Sequence, residues 1–317
     1  MNSQEIAKGF VFALIATMFL FLSGMTIPLV GILLIPLVPQ PPLAFGVKYG
    51  NRPVLWLLLL ASALLFLLAG KEIVLGYLFF ALMVVLLLHS FGRGWSIEAV
   101  VVATVSGILV TTFTILLFLF GSLSRLRERA SIALAENLEN SLMIYEKAGF
   151  SPETIELARE RSAQIIDIII QIMPALAFIG FVAIILINLV FLSYRFPEHR
   201  SFFFLLSDLR EWRSPNPIIW CFIFSGFSLF LPVHWGLKTL ALNILLMSAL
   251  FYFFQGLAIV AYFFHHKKVP ILLRSVGYVL IALEQFATLF VVGLGLFDLW
   301  GDFRRLNKRD LNPTQLT

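Results

Sequence analysis

Glu284 and Gln285 stand side by side inside the apolar run VPILLRSVGYVLIALEQFATLFVVGLGLFDLWGDFRR, residues 269–305, with Arg274 near its start. A carboxylate at the centre of a bilayer costs about 2.5–3.5 kcal/mol on insertion scales, so it is expected to face protein or a wet cavity. Successive helical residues turn by about 100°. That aligns Thr288, Gly295 and Asp302 with Glu284, and sets Arg274, Tyr278 and Gln285 on a neighbouring stripe. The preceding apolar run offers Ser248, Tyr252, Gln255 and Tyr262 on one face. The expected site is therefore a polar, ligand-binding one between the last two long spans, built on Gln255 and Glu284 with Gln285, Tyr252, Thr288 and Arg274. The plainer reading of the same residues is an interhelical hydrogen-bond clamp, each bond contributing roughly 0.6–2 kcal/mol. Asp298, Asp302, Arg304 and Arg305 read separately, as an interfacial ion-pair cluster that fixes the end of the helix.

The elements that must position these residues follow from composition. Of 317 residues 60% are hydrophobic and only 13% charged, against about 25% charged in soluble domains, which makes the chain an integral membrane protein. The expected fold is all-α: a polytopic helical membrane protein of eight or nine transmembrane helices with an extramembrane helical hairpin. The net charge of +5 is expected to meet lipid headgroups rather than nucleic acid. Cys221 is the only cysteine, so an internal disulfide is excluded. The apolar run that begins at Gly9 is longer than the core of a signal peptide and reads as a retained anchor.

Spans are expected at Gly9–Met25, Pro53–Ala69, Ile73–Phe91 and Ile97–Phe120, forming an N-terminal membrane bundle over 1–121. Gly9 and Ala13, with Thr17, make a small-residue stripe suited to close helix packing. Between the first two spans, Ile27–Tyr49 carries Pro28, Pro36, Pro39, Pro41 and Pro42. It reads either as a kinked span or as a re-entrant loop. Counting lysines and arginines on the two sides leans toward the re-entrant form, which places the hairpin and the Arg304-Arg305 tail inside.

Residues 122–172 change character. Leu126, Ala130, Leu134, Leu138 and Leu142 repeat every four residues among charges, Gly149 suits a helix stop, and Ser151-Pro152 suits a restart. This is the hairpin. A C-terminal bundle over 173–305 follows, with spans past Pro174 to Tyr194, at Pro217–Leu231 and at Leu237–Phe264 before the last. It includes an amphipathic interfacial helix at 195–216, and a polar tail occupies 306–317. The chain shows no H-E-x-x-H, phosphate loop, G-x-S-x-G or Cys/His spacing. No metal site, cofactor or enzymatic activity is expected.

Leu250-Phe-Tyr-Phe-Phe-Gln-Gly-Leu-Ala-Ile-Val260, Gly295-Leu-Phe-Asp-Leu-Trp-Gly-Asp-Phe-Arg-Arg305 and the Trp212-x-x-Pro215 element resemble the C-terminal hallmarks of the YybS-like family of bacterial multi-span membrane proteins. Through that family the N-terminal half is distantly similar to S components of energy-coupling-factor transporters. The resemblance implies a multi-pass protein of the cell inner membrane, acting as a solute-binding or transport subunit. Its expected partners are the bilayer, a small-molecule substrate, and a membrane protein or ATPase-coupled module. The rival expectation is a scaffold of envelope assembly working through the hairpin, and a third is an intramembrane enzyme using Glu284.

Overall fold

The computed structural model describes residues 3–26, 28–91, 93, 95–199 and 209–304, and among these there is no strand. The chain divides into two compact units. One comprises Met1–Ile166 with Gly180–Leu206, the other Asp167–Ile179 with Ser207–Thr317.

The first unit opens with α1 (Ser3–Thr26), α2 (Pro28–Leu34), a 3-10 turn (Ile35–Leu37) and α3 (Gln40–Tyr49). α4 (Asn51–Ala69), α5 (Lys71–Ser90) and α6 (Ile97–Phe120) follow. Its core joins these helices through fully buried Phe21, Leu43, Leu57, Leu65, Met83, Leu87 and Ile108. Phe21 packs edge-on against Tyr77 at 5.5 Å and Phe80 at 6.1 Å. Ala13 and Thr17 are buried, and the rings of Tyr49 and Phe45 cover Gly9.

The proline-rich segment runs antiparallel to α1 along its whole length. Ile35 packs on Gly24 at one end, and the Tyr49 hydroxyl reaches the Glu5 carbonyl at the other. Val30–Tyr49 is long and apolar enough to cross a membrane. Within this unit the Asn188 amide of α9 (Ser162–Arg195) donates to the Pro36 carbonyl at 2.7 Å, one that a following proline-rich turn leaves without a helical partner.

The hairpin consists of α7 (Leu123–Lys147) and α8 (Pro152–Glu160). The four-residue repeat of α7 forms its less exposed side, ending at buried Leu142, and Ile155 is buried on α8. Gly149 takes φ +87° after α7, and the Phe150 and Gly149 amides return to the Tyr145 and Glu146 carbonyls. This pattern is a Schellman motif, sealed by the Tyr145 and Phe150 rings at 5.2 Å. Ser151 caps α8 by accepting from the Thr154 amide.

The second unit contains α10 (Ile218–Phe230), α11 (Trp235–His266), α12 (Ile271–Leu283) and α13 (Gln285–Gly301), with the middle of α9. Pro174 lies inside α9 and interrupts its ladder. Asn243 of α11 bridges the gap there: its Oδ1 accepts from the Ala175 amide and its Nδ2 donates to the Gln171 carbonyl. α11 and α13 cross antiparallel with backbones in contact. A Cβ on Gly256 would land on the Val291 carbonyl oxygen, and one on Gly295 on the Tyr252 carbonyl oxygen.

Two expectations change. Among the described residues seven segments are long and apolar enough to cross a membrane, or eight with the bent pair α12–α13, in keeping with the lower of the two expected counts. α10, at 13 residues, covers only about 20 Å and falls short of a full span. The last span is not one helix, because α12 and α13 meet at 100°. The apolar face expected of the interfacial helix at 195–216 falls largely outside the described residues, with 3-10 turns at Pro197–His199 and Leu209–Glu211 on its flanks.

Gly256→Ala and Gly295→Ala are each expected to destabilise the protein by about 1–3 kcal/mol or more, since the methyl group meets backbone rather than a movable side chain. Thermal unfolding in detergent measures the loss. In the hairpin, Arg159 bonds Glu139 at 2.8 Å, and this bond holds the Glu139 carboxyl below the ordinary carboxylate range. A lowered folded-state pKa gives stability that is present above the unfolded value and lost as pH falls through the folded one. Protection of the hairpin amides, taken relative to the intrinsic exchange rate at each pH, should therefore hold above the ordinary carboxylate range and fall as pH drops through and below it. With Arg159→Gln protection starts lower and this pH-dependent step disappears, because the folded and unfolded carboxyls then titrate alike.

Candidate functional site

The polar residues of the second unit converge where α13 ends and α10 begins. Asp302 follows α13 in the left-handed region, at φ +37°, and this turns the chain back on itself. Asp298 stabilises the turn: its Oδ1 accepts from the Phe303 amide at 2.9 Å. Its Oδ2 accepts from Arg304 Nη2 at 2.7 Å and Gln255 Nε2 at 3.2 Å. Arg304 Nη1 donates in turn to the Arg210 and Trp212 carbonyls, at 2.7 and 3.0 Å. Gln255 Oε1 accepts from the Ser214 amide at 3.0 Å, and Arg213 Nη2 reaches Asp302 Oδ1 at 2.7 Å.

The cluster is dry. The Arg304 and Asp298 side chains are 0% and 1% exposed, and Gln255 and Ser214 are buried. A buried ion pair persists only when its remaining valences are met by good hydrogen bonds, and Gln255, the Phe303 amide and two carbonyls meet most of them. Two polar atoms stay without a hydrogen-bond partner among the described residues, Arg304 Nε and Ser214 Oγ. Gln255 lies eleven residues before the end of α11 at His266, about 17 Å along the axis. The pair therefore lies level with the apolar length of that helix, and on α13 it sits in the last turn.

Glu284 is elsewhere. It is exposed and extended, φ −99° and ψ 116°, between α12 and α13. The α11–α13 register pairs Gly256 with Val291, and seven residues further along each helix sets Glu284 level with Phe263. It thus sits near the basic end of α11, not at mid-span, and Gln255 is joined to Asp298 instead. Gln285 opens α13 and is exposed. The Thr288 hydroxyl donates to the Ile281 carbonyl at 2.6 Å, serving a group that the break releases. Arg274 Nε donates to the Val269 carbonyl at 2.6 Å. Tyr252 is fully buried, its ring against Phe222 at 5.6 Å. Arg305 lies outside the described residues.

Sequence reading missed Ser214, Arg213 and the Arg210 and Trp212 carbonyls. Backbone acceptors have no signature in a sequence. The Trp212-x-x-Pro215 element marked the right segment without showing what it touches.

Asp298→Asn is expected to lower stability by about 3–5 kcal/mol, because it leaves the Arg304 guanidinium buried without its counter-charge. The paired change Asp298→Leu with Arg304→Met is expected to lose less than Asp298→Asn alone. Unfolding of the purified variants compares the two.

The family described as "Predicted membrane protein (DUF2232)" matches residues 15–299, and the chain belongs to that family. No curated protein and no solved structure matches the chain.

Proposed function

We propose that this family member is a non-enzymatic solute-binding or transport subunit whose site is the Gln255–Asp298–Arg304 cluster. The observation that carries the reading is a dry ion pair held within the apolar length of α11, where one helix ends and another, too short to span, begins. Interrupted helices whose ends meet inside the bilayer are how many transporters expose polar backbone and side chains to a solute. Irregular backbone at such depth survives only when buried in protein or lining a cavity. The unpartnered Arg304 Nε–H and Ser214 hydroxyl suit a small polar solute offering a hydrogen-bond acceptor. In this reading the protein resides in a bacterial inner membrane and works with an ATPase-coupled module, as its resemblance to S components implies.

A second reading, a scaffold of envelope assembly, draws on exposed apolar side chains near the hairpin tip: Met143, Ile144, Tyr145 and Phe150. Ser214→Ala separates the two. Its hydroxyl bonds nothing among the described residues, so stability should be unchanged while a small molecule retained by the purified wild type is lost or weakened, as read by native mass spectrometry. Deleting 122–160 should leave that molecule bound. A wild type that carries no small molecule, together with a membrane-protein partner lost on the deletion, would favour the scaffold.

A further inference from the structure

α12 differs from every long helix of the chain. It has 13 residues and no buried side chain, and Ile271, Leu272 and Leu283 are 82%, 73% and 80% exposed. It leaves α13 at 100°. It also lies against the C-terminal end of α11: a Cβ on Gly277 would crowd the Phe264 ring, and Tyr278 packs edge-on to that ring at 5.5 Å. α13 runs antiparallel beside α11, so a helix perpendicular to α13 at that end lies along the bilayer surface. The 13 residues of α12 and the 17 of α13 together cover about 45 Å, more than the roughly 30 Å of a bilayer core.

The charges follow the same plane. His265, His266, Lys267 and Lys268 are exposed at the turn into α12. Lys268 adopts φ +50°, which closes α11 and turns the chain toward α12. Arg274 is half-buried, its Nε fixed on the Val269 carbonyl. Between His265 and Glu284 the formal charges are Lys267, Lys268 and Arg274 against Glu284 alone. A helix with an apolar body and basic residues at its entry matches a leaflet whose headgroups are anionic.

We infer that His265–Leu283 is an in-plane platform that binds anionic phospholipid headgroups, with α12 seated at the headgroup–acyl boundary and Lys267, Lys268 and Arg274 supplying the selectivity. It is independent of the buried Asp298 cluster, whose hydrogen bonds to Gln255, Phe303 and Arg304 involve none of its residues.

Two measurements on the full chain in nanodiscs test it. Spin labels placed singly along 271–283, in a protein with Cys221 replaced, should report depths that oscillate with the helical period about a constant mean. A depth that increases steadily from 271 to 283 overturns the in-plane placement. Spin-labelled phosphatidylglycerol should be preferred several-fold over phosphatidylcholine at the protein surface. The triple change Lys267→Gln, Lys268→Gln and Arg274→Gln should reduce that preference toward unity, with unfolding in phosphatidylcholine discs unchanged. A preference that is absent from the wild type, or retained by a folded triple variant, overturns the headgroup assignment.

Discussion

Hydrocarbon offers no partner for a peptide group, and four of the helix breaks among the described residues are each answered by a particular side chain. Where Pro174 interrupts α9, Asn243 enters the ladder and serves one donor and one acceptor at once. At the Pro36 turn, Asn188 takes the released carbonyl. Beyond the Glu284 break, Thr288 reaches back to Ile281, and past the end of α13 the Asp298 carboxylate holds the Phe303 amide. Leaving any of these groups bare in lipid costs several kcal/mol, so the breaks and their repairs belong together as units. The polar residues of the spans are largely accounted for by this requirement.

The α11–α13 crossing shows how a second constraint builds on the first. With lipid tails as apolar as leucine, helix association rests on close packing and a few polar contacts. Gly256 and Gly295 remove the side chains that would hold the backbones apart. The resulting approach brings Gln255 within reach of Asp298. The Gln255–Asp298 bond is thus a product of the glycine contact, since a wider separation would part the side-chain amide from the carboxylate.

Periodicity and punctuation made much of the fold legible. The four-residue repeat of the hairpin, its Gly149 stop and its Ser151-Pro152 restart correspond to α7, a Schellman motif and a capped α8, because each is a local property of a few neighbouring residues. The interruption at Glu284 was not legible. No proline or glycine marks it, and a 100° turn depends on how α12 lies against the end of α11. The same applies to the site. Gln255 stood out as a polar residue in an apolar span, and Asp298 and Arg304 as members of an ion-pair cluster at a helix end, but helix-wheel reasoning presumed one continuous helix and carried Glu284 toward Gln255. Once the helix bends, the partners change, and two of them are carbonyls that side-chain reading does not weigh.

The spacing of the buried pair bears on how the protein is made. Asp298 and Arg304 are six residues apart, so they leave the ribosome nearly together, at the end of a nascent chain whose acceptors at Arg210 and Trp212 were synthesised long before. Opposite charges this close in sequence can neutralise one another as the segment passes from the insertion machinery into lipid. α13 then enters with its carboxylate already matched.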